Sequence, residues 1–69
     1  MKEKVENTIL KYRIGKDVTQ EQLAEAVGVT RQTIIAIEKG NYTPSVALAI
    51  KLARYFDTKV EKLFSIIKE

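Results

Sequence analysis

Only four residues in this 69-residue chain interrupt its apolar periodicity: Gly15, Gly28, Gly40 and Pro44. The three glycines fall about a dozen residues apart, so whatever forms between them has to be short. Within the pieces, apolar residues recur at three- and four-residue spacing, the mark of helices with one buried face. The first piece runs from about Val5 to Ile14, with Val5, Ile9, Leu10 and Ile14 near one face and Gly15 suited to a left-handed end. The second opens on Thr19 as N-cap, with Gln22 placed to close a capping box, and passes through Leu23, Ala24 and Val27 to stop at Gly28. The third opens on Thr30, carries Ile34 and Ile37 on one side, and ends before Gly40.

After the loop Asn41–Pro44, Ser45 caps a fourth helix whose apolar positions are Val46, Leu48, Ala49, Ile50, Leu52, Ala53 and Phe56. A fifth helix, about residues 60–67, carries Leu63, Phe64, Ile66 and Ile67. No stretch alternates over four or more residues, so no strand is expected. The sequence reads as all-α: five short helices around one core, forming one domain over residues 1–69.

Composition narrows the function classes. The chain has no cysteine and no histidine, which removes the thiol nucleophile, the commonest general base and the usual transition-metal ligands. We therefore expect no enzyme, no metal site, no cofactor and no small-molecule ligand. The longest unbroken apolar run, Val46–Ile50, is far too short to cross a bilayer, and the mixed-charge start is no secretory signal. A cytoplasmic, nucleoid-associated protein with no membrane partner is expected. The net charge of +3 permits a polyanion partner without requiring one. Residues 18–40 hold two basic and three acidic side chains, so the excess lies elsewhere.

The informative stretch is Gln20 to Lys39. Two short helices joined by a turn centred on a glycine have the geometry of a DNA-binding helix-turn-helix. Ala24 falls where the two helices cross and only a small side chain lets the backbones approach. Gly28 falls where the chain leaves the first of them with positive φ. Val29, Ile34 and Ile37 return to the core and set the angle of the second. Long planar side chains at the start of that second helix suit base edges: Arg31 matches guanine and Gln32 adenine, each through two hydrogen bonds. Gln20 opens the first helix, where free N–H groups and the positive dipole end suit a phosphate.

The segments VTQEQLAEAVGVTRQTIIAIEKG and NYTPSVALAIKLARYF resemble the lambda Cro/C1-type helix-turn-helix family, also called the XRE family. The likeness spans about Ile9 to Phe64 and points to the small stand-alone repressors among its members. It implies a five-helix lambda-repressor-like domain that reads double-stranded DNA with residues of about 20–39. It places Arg31, Gln32 and Ala36 at base-reading positions, with Thr33 shared between base edges and backbone. It places Gln20, Lys39, Asn41 and Tyr42 on phosphates, with Thr19 and Thr30 as caps that also reach the backbone. Arg13 and Glu38 match a structural ion pair of the family beneath the reading surface. Ile35 departs from the pattern, standing where relatives carry a small or polar residue; core, thymine methyl and solvent are all open to it.

One such motif reads only a few base pairs, so a homodimer on a palindromic site is expected. Leu63, Phe64, Ile66 and Ile67 give the last helix more apolar surface than its own core needs, making it the expected dimer interface. A same-fold antitoxin or restriction–modification controller is an alternative. So is a protein-interaction module that does not bind DNA, although Arg31-Gln32 lacks the aromatic anchors such a surface favours.

Overall fold

The computed structural model describes residues 2–68, so the two end residues of the expected domain lie outside the described residues. Its elements in chain order are β1 (Glu3–Asn7), α1 (Ile9–Lys16), α2 (Gln20–Val27), α3 (Arg31–Glu38), α4 (Val46–Tyr55), α5 (Val60–Leu63) and β2 (Phe64–Lys68). Ile9, Leu23, Ile34, Ile37, Leu52 and Leu63, one or more from every helix, are fully buried and meet in a single cluster. Ala24 is 3% exposed in the same cluster, where α2 packs against α3.

The helix starts follow the local chemistry of the sequence. The Thr19 hydroxyl accepts the Gln22 N–H at 3.0 Å while the Gln22 amide oxygen accepts the Thr19 N–H at 2.8 Å, a closed capping box. Thr30 accepts from Thr33 N–H at 3.3 Å and Ser45 from Leu48 N–H at 3.1 Å.

Four of the five helix ends share one device. Val18 N–H donates to Arg13 C=O, Val29 to Ala24, Asn41 to Ala36 and Thr58 to Ala53, each across a left-handed residue. This is the Schellman closure, and it satisfies carbonyls that the last helical turn leaves free. The left-handed residues are Asp17, Gly28, Gly40 and Asp57, so α1 ends at Asp17 (φ 59°) and Gly15 lies within it. An aspartate there carries both the left-handed strain and a negative charge at the negative end of a helix dipole. Replacing exposed Asp57 (φ 53°) by glycine should therefore raise stability by about 0.5–1 kcal/mol, read as a melting temperature about 4 °C higher.

Three expectations are corrected. The fold is not strictly all-α: β1 and β2 form a two-stranded antiparallel sheet pairing Glu3 with Lys68, Val5 with Ile66 and Asn7 with Phe64. The first helix cannot extend back to Val5, because the Asn7 side chain bends the chain. Its Oδ1 accepts the Ile9 N–H at 3.1 Å and its Nδ2 donates to the Ile37 carbonyl at 2.8 Å. Starting at Ile9 also rotates the helix. Tyr12 turns inward, 5.7 Å from the Phe56 ring, while Leu10 and Ile14 are left 45% and 64% exposed.

The expected helix over 60–67 likewise stops at Leu63, and Phe64 is already extended at φ −129°, ψ 139°. The β-branched and aromatic run Phe64-Ser65-Ile66-Ile67 finds a strand partner at the other end of the chain. Leu63, Phe64, Ile66 and Ile67 therefore do not share a helical face. Leu63 is 1% exposed in the protomer's own core and has nothing to offer a partner, Phe64 and Ile67 are half-buried, and Ile66 is 65% exposed.

Candidate nucleic-acid interface

The turn between α2 and α3 is set by three residues. Gly28 closes α2 in the left-handed region (φ 77°), Val29 packs back against the core, and Thr30 caps α3. The buried edge of α3 is Ile34 and Ile37. At helical spacing, the side opposite them carries Gln32, Ile35 and Ala36, with Arg31 in the first turn at the edge of that face beside Ile35. Arg31 and Gln32 are exposed; Ile35 and Ala36 are half-buried.

Ile35 is the residue that the sequence left unplaced. It is not among the side chains packed on the core, so the outer face of α3 is where it stands. Thr33 lies on the flank, its hydroxyl 3.2 Å from that of Thr30. The face opposite the core thus combines two long hydrogen-bonding side chains with two apolar ones. The helical period of α3 held the signal for Ile35, once Ile34 and Ile37 were recognised as the core edge.

Beneath this face, Arg13, Gln20 and Glu38 tie three helices together. Arg13 Nε donates to Glu38 Oε2 at 2.7 Å and Nη2 to Oε1 at 3.3 Å, a two-pronged pair whose side chains are 15% and 7% exposed. Arg13 Nη1 also donates to the Val18 carbonyl at 3.0 Å, holding the α1–α2 loop. Gln20 Nε2 completes the carboxylate by donating to Glu38 Oε1 at 2.9 Å. The start of α2 is thereby fixed to the end of α3. The sequence placed Gln20 only on a phosphate; its side chain also positions the motif.

Arg13, Asp17, Thr19, Gln20 and Arg31 line an open polar cleft of about 720 Å³, with the free N–H groups of the α2 N-terminus on its wall. Lys39, Asn41 and Tyr42 follow α3 and are exposed. Among the described residues no group of side chains has the makeup of a metal site, and no helix is long and apolar enough to cross a membrane.

A helix-turn-helix family model matches residues 9–63, most of the chain. The chain belongs to the Cro/C1-type helix-turn-helix family. Members of this family are DNA-binding transcriptional regulators, and this chain is one of them. It is 49% identical to the HTH-type transcriptional regulator YgzD of Bacillus subtilis, over 100% of this chain and 98% of that one. It is 52% identical to an HTH-type transcriptional regulator of Methanocaldococcus jannaschii, over 87% of this chain and 91% of that one. Among solved structures it is similar to the restriction–modification controller protein C.AhdI of Aeromonas hydrophila, with TM-score 0.73 and 28% identity over 78% of this chain and 82% of that one. The matched helix-turn-helix span excludes β1 and β2, which flank it on either side.

Capping ties this motif's geometry to its stability. Thr19→Ala removes one half of the capping box and leaves the Gln22 N–H without its acceptor. We expect a loss of about 1 kcal/mol, measured by urea denaturation, with the slope of the transition unchanged.

Proposed function

We propose that this Cro/C1-type regulator is a sequence-specific repressor that binds an inverted-repeat operator as a homodimer, with α3 of each copy in the major groove. The observation that carries this reading is the outer face of α3. A guanidinium and a carboxamide in its first turn offer paired hydrogen bonds to guanine and adenine, through Arg31 and Gln32 respectively. Ile35 and Ala36 set apolar surface beside them, suited to thymine methyl groups. Thr33, at the flank, reaches a base edge or the adjoining backbone.

Phosphates flank that reading face. The N–H groups at the start of α2, with Thr19 and Gln20, take one phosphate, and Thr30, Lys39, Asn41 and Tyr42 take the strand on the far side. The Arg13–Glu38 pair is structural and holds both helices in register. Repression by occupancy follows from the likeness of the motif segments to small stand-alone repressors. The similarity to C.AhdI favours a second reading, control of a restriction–modification locus, which uses the same DNA chemistry.

The test is selection of bound duplexes from a random library at about 150 mM salt, where counterion-driven binding is suppressed. An enriched inverted repeat with half-sites about one helical turn apart is the expected result. Absence of any enriched sequence would overturn the reading.

A further inference from the structure

The two strands differ in a way the DNA-reading function does not use. β1, Glu3-Lys4-Val5-Glu6-Asn7, is charged, whereas β2, Phe64-Ser65-Ile66-Ile67-Lys68, is apolar over most of its length. Thr8 N–H donates to the Leu63 carbonyl at 2.9 Å, one register step past the Asn7–Phe64 pair. Backbone groups alternate along a strand, so the inward-facing residues are Lys4 and Glu6 on β1 and Ser65 and Ile67 on β2. The N–H and C=O groups of Ile66 and Lys68 therefore point out of the sheet, away from β1. Among the described residues nothing hydrogen-bonds to them. Phe64 contributes its carbonyl to this edge, its N–H being held by the Val60 carbonyl.

A two-stranded ribbon is marginal in water, and proteins protect edges that must stay unpaired with charged side chains. Here β1 carries that protection and β2 does not. Ile66, at the middle of the bare edge, is 65% exposed. Beside it runs an apolar groove of about 690 Å³ lined by Val5, Pro44, Val46, Ala49 and Phe64, in which Val46 is 77% exposed.

We propose that a second copy of this chain completes the sheet by pairing β2 with β2 of its partner about a two-fold axis at Ile66. This rests on the homodimer reading above and says where the two copies meet. The register is self-complementary. Ile66 exchanges both backbone bonds with its own copy, and each Lys68 N–H meets the partner's free Phe64 carbonyl. No like charges are opposed, because Lys68 falls opposite Phe64. The result is a four-stranded sheet with the apolar strands at its centre and the charged strands at its rims. Pairing of β1 with β1 would put Lys4 opposite Glu6 but bury the charged strand and leave the apolar edge in water.

The cysteine-free chain allows a direct test. In a hydrogen-bonded antiparallel pair the Cα atoms lie about 5.5 Å apart, within reach of a disulfide. Under mild oxidation, Ile66→Cys should double in mass on non-reducing electrophoresis. Val5→Cys should not, since three strand spacings put it about 15 Å from its copy. Ile66→Pro removes only an outward N–H, so it should convert the dimer to monomer in sedimentation at tens of micromolar while circular dichroism stays native. Ile66→Lys, which keeps the backbone, should do the same. A monomeric parent protein would overturn both this proposal and the homodimer reading. A dimer indifferent to Ile66→Pro and Ile66→Lys, or one cross-linked through Val5→Cys in preference, would leave the homodimer standing and overturn the β2 seam.

Discussion

Arg13→Ala should destabilise the protein by about 3 kcal/mol and lower its melting temperature by more than about 10 °C. The guanidinium sits 2.7 Å from Glu38 with both side chains largely out of water. Removing it leaves a carboxylate with only the Gln20 amide as partner and frees the Val18 carbonyl that Arg13 also holds. An unpaired buried charge costs far more than an intact pair contributes. For a domain of this size, whose total stability is of the order of 5 kcal/mol, such a loss leaves much of the population unfolded near 40 °C. The companion variant Arg13→Met/Glu38→Leu removes both charges and should recover most of the loss. Thermal denaturation of the single and double variants checks both statements. Native melting of Arg13→Ala would contradict the structural role assigned to the pair.

Arg31→Ala should act in the opposite way, leaving stability unchanged to within about 0.5 kcal/mol while weakening binding to the selected operator. Arg31 is exposed at the first position of α3 and makes no hydrogen bond within the protein among the described residues. Its loss should cost about 1–3 kcal/mol, roughly tenfold or more in Kd, and relax preference at one base pair of each half-site. Lys39→Ala makes the useful comparison. Taking that ammonium away from a phosphate should weaken binding to all sequences alike and reduce the salt slope by about one unit per site. Titrations at several salt concentrations, on the operator and on a scrambled duplex, separate the two behaviours. Equal losses on both duplexes for Arg31→Ala would show that it reads phosphate rather than base.

The helical centre of the molecule was legible because its signals are local. Thr19, Thr30 and Ser45 cap helices three residues from the N–H groups they bind, and Gly28 takes the left-handed turn that its position demands. The sheet was not legible for the converse reason. Glu3 and Lys68 become neighbours only once the helices have packed, and five-residue strands with an Ile66-Ile67 doublet show no period-two alternation. The end of α1 was obscured by Asp17, a residue type that seldom holds a left-handed conformation. In the candidate site, residue types pointed to Arg31 and Gln32. The standing of Ile35 needed the knowledge of which edge of α3 is buried, and the second role of Gln20 needed the position of Glu38.

The sheet also fixes an order of events in folding. Every helix is closed by bonds between residues a few positions apart, whereas β1 has to wait for the far end of the chain. Bringing those ends together carries the largest loop-closure entropy in the molecule, so the ribbon assembles last and opens first. The amides of Lys4 and Glu6 should then exchange with solvent faster than those of Leu52 and Ile34 at the centre of the core, by a sub-global opening that leaves the DNA-reading helices folded.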